Sequence, residues 1–171
     1  AVARSRATIT FDPNCRPSIM GDPRAVRRRT EDLVSVSDVV KASEDDVRWL
    51  YGDRPLGAVV RRWLDLGASV VVVTHGGYGS TAMTRDVELS VPAERVEVVD
   101  TVGAGDSFMA GLLVGLDRVG LLGAPARAGL AALDGDELVG TLRLATQVAA
   151  ITCGRRGADS PTAEYLAAIG S

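Results

Sequence analysis

Gly103, Ala104, Gly105 and Asp106 stand in a row in the middle of the chain. Glycines at the first and third positions let the backbone turn tightly and come close to a ligand. Phe108, Leu112 and Leu113 follow at helical spacing, so the turn is predicted to open a helix. The free N–H groups of Gly103, Ala104, Gly105 and Asp106 would then converge at its positive end, a ready anion site. Asp106 would lie beside whatever anion binds. A cradle for developing negative charge next to a base for an attacking hydroxyl suits phosphoryl transfer. A plainer reading fits the same residues: Asp106 or Ser107 only caps the helix, and the glycines only turn the chain.

These groups need elements to hold them. Val96–Val99 are β-branched and apolar around one Glu, which predicts a buried strand feeding the turn. Ala7–Phe11 predicts another, ending at the loop Asp12-Pro13-Asn14-Cys15-Arg16-Pro17. The planar fork of Arg16 could pair with a phosphate or substrate oxygen, or simply stand exposed on a turn. Asp22-Pro23 starts a helix running to about Leu33. Ser37–Lys41 reads as a short strand, and Ser43 opens a helix ending near Gly52, with Ser43 and Asp46 at capping-box spacing. Pro55–Leu66 is amphipathic, with Val59, Val60 and Trp63 on its core face. Ser69–Thr74 is a valine run suited to a parallel strand buried on both faces. A glycine turn, Thr74–Gly79, follows it and leads into a hairpin of Ser80–Met83 and Val87–Val91. Beyond the central helix, Gly115–Gly135 reads as loop and helix without chemistry. Asp136–Ile151 is a helix with a small-residue face, Thr152–Pro161 a loop, and Ala163–Ile169 a closing helix.

The run Asp100–Leu113, DTVGAGDSFMAGLL, resembles the C-terminal signature of the ribokinase-like (PfkB) carbohydrate kinases in its fructokinase form. Asp12-Pro13-Asn14-x-Arg16 resembles the loop beside the transfer centre of that family, and Thr74-x-Gly76-x-x-Gly79 its nucleotide segment. The resemblance implies an α/β/α sandwich with a mainly parallel central sheet, binding ATP, Mg²⁺ and a sugar. It implies that Asp106 is the catalytic base, that Gly103–Asp106 form the anion hole, and that Thr101 of the signature faces substrate or phosphate. Thr74, Gly76 and Gly79 would line the nucleotide, Ala149 would flank the adenine, and Asn14 and Arg16 would face substrate or phosphate. Where the family carries Asn-x-x-Glu this chain has Ser43 and Asp46, in the Lys-x-Ser form Lys41-Ala42-Ser43. Asp46 would then help organise Mg²⁺, a reading that competes with the capping box. Asp100, Val102, Thr152, Arg155 and Gly157 fall where many members hold a monovalent cation such as K⁺. Fructose is the implied sugar, with a 2-keto-3-deoxygluconate kinase or another sugar kinase of the family as runner-up. The family is markedly longer than this chain. The 171 residues are therefore expected to form one domain lacking the N-terminal part and the lid over the sugar. A nucleotide-binding remnant without activity of its own is the rival from a different class.

Composition bounds the rest. At 46% hydrophobic the chain can bury one substantial core, and at 4% aromatic that core rests on Val, Leu and Ala. A net charge of −3 argues against a nucleic-acid partner; Arg27-Arg28-Arg29 reads as one exposed helix face. Cys15 and Cys153 make no disulfide framework or metal spacing, which with the lack of a membrane-spanning run suggests a reduced, cytoplasmic setting. The resemblance also allows a homodimer. A serine hydrolase is disfavoured, because the single His75 sits in a different turn from Ser107.

Overall fold

The computed structural model describes residues 7–162 and 164–166. Five strands form one sheet in the order β1 (Thr10–Phe11), β2 (Val39–Ser43), β3 (Val70–Thr74), β4 (Ser80–Met83), β5 (Glu88–Val91). β1, β2 and β3 are mutually parallel, β4 is antiparallel to β3, and β5 is antiparallel to β4. Four of the five strands therefore share one direction.

The helices are α1 (Pro17–Met20), α2 (Pro23–Val34), α3 (Glu44–Tyr51), α4 (Leu56–Leu66), α5 (Ala104–Arg118), α6 (Arg127–Ala131) and α7 (Gly135–Cys153). Alternate strand residues serve opposite faces, as the pleat requires. Val40, Ala42, Val71 and Val73 pack with Val34, Val47, Leu50 and Trp63 of α2–α4. Val39, Val70 and Val72 pack with Phe108, Leu112, Leu138 and Leu142 of α5 and α7. The result is the expected three-layer α/β/α sandwich. α5 and α7 approach backbone to backbone: a Cβ on Gly111 would lie 2.8 Å from Ala145 Cα, and one on Gly115 2.8 Å from Thr141 Cγ2.

Local signals explain most boundaries. Asp22 caps α2 through the amides of Arg24 and Ala25, with Pro23 at its first position. Ser43 and Asp46 form a reciprocal capping box at α3. Three expectations need correction. The first strand is only Thr10–Phe11, because the Ile9 amide bonds the Asp38 carboxylate and Thr8 Oγ1 accepts the Gly123 amide. β2 begins at Val39, not Ser37, because Ser37 extends the end of α2 through Val34 O and Leu33 O. Val96–Val99 form no strand: Val98 is 61% exposed, and the Val99 amide bonds Cys153 O at 2.8 Å rather than a sheet neighbour. Of the closing helix expected at 163–169, Glu164–Leu166 are helical and the other positions lie outside the described residues.

Candidate active site

A cleft of about 480 Å³ opens between the turn after β3, the segment after β5 and the start of α5. Of the residues singled out in the sequence, Thr74, Gly76, Gly79, Thr101, Ala104, Gly105 and Ala149 line it. Gly79 has φ +109°, and a Cβ there would lie 2.1 Å from Val91 O, so only glycine fits. His75 stiffens the same turn. Its Nδ1 pairs with Glu44 Oε2 at 2.8 Å and its Nε2 with Thr81 Oγ1 at 3.0 Å.

The α5 turn is closed by Gly103 in the left-handed region at φ +78°, with no side-chain cap. The capping roles considered for Asp106 and Ser107 do not occur. Ser107 is buried inside α5, touching Ser160 Oγ and accepting Thr152 Oγ1 at 2.9 Å. The Ala104 amide donates to Thr101 O at 3.2 Å, while those of Gly103, Gly105 and Asp106 make no hydrogen bond among the described residues. Asp106 is the third residue of α5, and its exposed carboxylate has no partner among the described residues.

Sequence reasoning gave Lys41 no role of its own at this site. It is the single lysine of the chain, set in an apolar strand. Its side chain is 5% exposed, and its ammonium pairs with Asp12 Oδ2 at 2.6 Å. The same nitrogen lies 3.0 Å from where a Cβ on Gly105 would stand. A buried cation thus sits against the turn whose amides are free, and one lysine among eighteen arginines was the available signal.

The apolar end of the cleft was also only partly foreseen. Thr146, Ala149, Ala150 and Cys153 recur at i, i+3, i+4 and i+7, so one stripe of α7 forms its wall. Val96 and Val98 also line the cleft, which is where the valine run expected as a strand is used. Burial, then the nearby Asp100 carboxylate, push the Cys153 thiol above its ordinary range. Burial, then Asp46, push Cys15 up to about 12. Neither thiol is a nucleophile near neutral pH. Ser107 and His75 have separate partners, which removes the hydrolase reading.

Other candidates lie outside the cleft lining. Asn14 has φ +41°, and the Arg16 guanidinium folds back onto Asn14 O and Cys15 O at 3.3 and 3.0 Å. Asp46 is 8% exposed; Oδ1 accepts the Cys15 amide and Oδ2 accepts Ser43. Asp100 accepts the amides of Val102 at 3.0 Å and Gly157 at 2.9 Å, and those two bonds hold its carboxyl below the usual range. The Thr152 carbonyl accepts the amides of Gly154 and Arg155, and the Gly157 carbonyl that of Asp159. The Arg155 guanidinium pairs with Asp159 and lies 5.1 Å over the Tyr165 ring.

The groups implied by the resemblance can be set against these residues. The cleft has apolar walls and reaches Gly105, beside which lie the free amides of the α5 turn and the buried Lys41 ammonium, a combination that fits a nucleoside triphosphate. No group of three or more His, Cys, Asp or Glu among the described residues could hold a metal. Mg²⁺ fits as an ion carried by nucleotide phosphates rather than by a protein cage.

The sheet and its flanking layers define a ribokinase-like fold. An ATP-bound fructokinase from Xylella fastidiosa superposes with a TM-score of 0.77 at 29% identity, over 88% of this chain and 47% of that one. A double-mutant fructokinase from Vibrio cholerae O395, with fructose, ADP and potassium ion bound, gives 0.73 at 26%, over 93% and 49%. The chain belongs to the pfkB family carbohydrate kinases, whose family model matches residues 1–164. A fructokinase from Rhizobium leguminosarum bv. trifolii is 44% identical over 116 residues, 67% of this chain and 35% of that protein. The chain spans between a third and a half of the length of these relatives. None of the described helices is long and apolar enough to cross a membrane.

Proposed function

We propose that this chain carries the nucleotide-binding and catalytic centre of an ATP-dependent sugar kinase. The observation that carries the reading is the buried Lys41 ammonium beside Gly105, where the amides of the α5 turn are free. A nucleotide would lay its base between the α7 stripe and Val96–Val98, with its phosphates toward Gly103–Asp106 and Lys41. Asp106 would take the proton from a primary sugar hydroxyl. The alkoxide oxygen would form a bond to the γ-phosphorus as the bond to the β-phosphate oxygen breaks and ADP leaves. The amides and the ammonium would hold the charge spread over the transferring group, and Mg²⁺ bound with the nucleotide would neutralise the phosphates.

Fructose is the favoured acceptor, supported by the 44% identical fructokinase; a 2-keto-3-deoxygluconate or related acceptor is the runner-up. Asp100 with the carbonyls of Thr152 and Gly157 is the candidate K⁺ site. The test is fructose-dependent ADP formation by this chain with Mg-ATP, alone and as Asp106→Asn. Loss of about 10²–10⁴-fold in the variant, with ATP binding kept, supports the base assignment. Unchanged turnover would remove it. The chain's share of its relatives' length favours a second reading: it binds ATP, yet transfers phosphate only when another segment completes the sugar site.

A further inference from the structure

Asp46 links two distant parts of the chain. Its Oδ1 accepts the Cys15 amide at 2.7 Å, across 31 residues of sequence. Its Oδ2 accepts the Ser43 amide at 2.9 Å and Ser43 Oγ at 2.7 Å. All three donors are protein groups, and the residue is buried. Cys15 lies in the loop that also carries Asp12, and that loop is shaped by the left-handed Asn14, whose amide returns to Asp12 Oδ1 at 3.1 Å. The other oxygen of Asp12 holds the Lys41 ammonium. Without the Asp46 acceptor the Cys15 amide is left unpaired in a buried place, and a loop with an unfavourable backbone angle loses its tether.

We propose that Asp46 is a positioning residue for Lys41. Its carboxylate fixes the Asp12–Arg16 loop, and the loop holds Asp12 against the ammonium beside Gly105. The importance of that placement rests on the kinase reading; the coupling itself does not. It also departs from the Mg²⁺ role implied by resemblance, because the working feature is an acceptor for an N–H rather than a charge near a metal.

The single lysine makes the coupling readable. In a chain labelled with ¹⁵N-lysine, one Nζ signal reports Lys41. Asp12→Asn and Asp46→Ala are expected to move it in the same direction. Asp46→Asn keeps an acceptor for the Cys15 amide and is expected to leave the Lys41 signal near wild type. An unmoved Lys41 signal in Asp46→Ala, with Asp12→Asn moving it, overturns the proposal. So does an Asp46→Asn signal displaced as far as that of Asp46→Ala, since charge rather than the acceptor would then matter. Should Asp46→Ala fail to fold, the shorter Asp46→Ser replaces it: a Lys41 signal moved in that variant and near wild type in Asp46→Asn supports the coupling, and a signal unmoved in Asp46→Ser overturns it. Added ATP is read separately on the same signal, so a failure to bind nucleotide counts against the kinase reading only.

Discussion

Behind the Gly105 end of the cleft the groups are polar and held by hydrogen bonds across the sequence: Lys41 by Asp12, Asp12 by its own loop, and that loop by Asp46. At the other end Val96, Val98, Ala149 and Ala150 offer apolar walls with few bonds between them. The first end can distinguish charge, because a buried ammonium and free amides interact strongly only with an anion placed against them. The second can take a flat ring by shape and burial, at roughly 25 cal/mol per Å² of apolar surface removed from water. A nucleotide needs both, and substitutions at the two ends should fail differently.

The largest effect is expected at the turn itself. Gly103→Val must adopt a positive φ and place its Cβ 2.7 Å from Ala158 Cβ, so the amide cradle cannot keep its shape. ATP affinity should fall about 100-fold or more, from backbone strain and overpacking together, while adenosine affinity changes little. Equilibrium titration with both ligands checks this; equal losses would mean that the two ends are one unit. At the apolar end, Ala149→Leu places a larger side chain on the α7 wall. ATP and adenosine should weaken together, by about 10-fold. A loss confined to ATP would move the base elsewhere.

The smallest effect lies on the opposite face of the sheet and serves as a control. Glu31 accepts Arg62 Nε and Nη2 at 2.7 Å and Tyr51 Oη at 2.9 Å. The Arg62 guanidinium first, then the Tyr51 hydroxyl, hold its carboxyl below the ordinary range. The Glu31 contribution is therefore present above the unfolded value and is lost as pH falls through the lower folded one. Glu31→Gln should cost about 1 kcal/mol at neutral pH, with the difference from wild type fading in acid, and leave nucleotide binding unchanged. Denaturant melts at pH 7 and pH 3 test it. Tyr51, pushed up to about 12 by burial, acts in the other direction: its neutral form is favoured in the fold, and stability falls as pH rises from about 10 toward 12.

The sequence displayed the local half of this arrangement. Asp22 and Ser43 announced their helices because a cap acts on amides two or three residues away. The turns around Gly79 and Gly103 were visible because only glycine tolerates their backbone angles or contacts. Val96–Val99 misled, because a β-branched run suits a cleft wall as well as a strand, and only the missing sheet partner separates the two. Lys41 and Asp46 were seen through their neighbours in sequence. Their partners, Asp12 and Cys15, lie 29 and 31 residues away, a distance that spacing rules do not reach.

The most direct measurement is calorimetric titration of ATP and adenosine into the wild-type chain and into Lys41→Met, with Asp12→Asn added so that no carboxylate is left unpaired. The account predicts that ATP weakens by about 10- to 100-fold, the scale of a lost charge-assisted contact, while adenosine binds as before. Equal affinity for ATP before and after the change, or an equal loss for both ligands, would contradict the placement of the phosphates against Lys41 and the α5 turn.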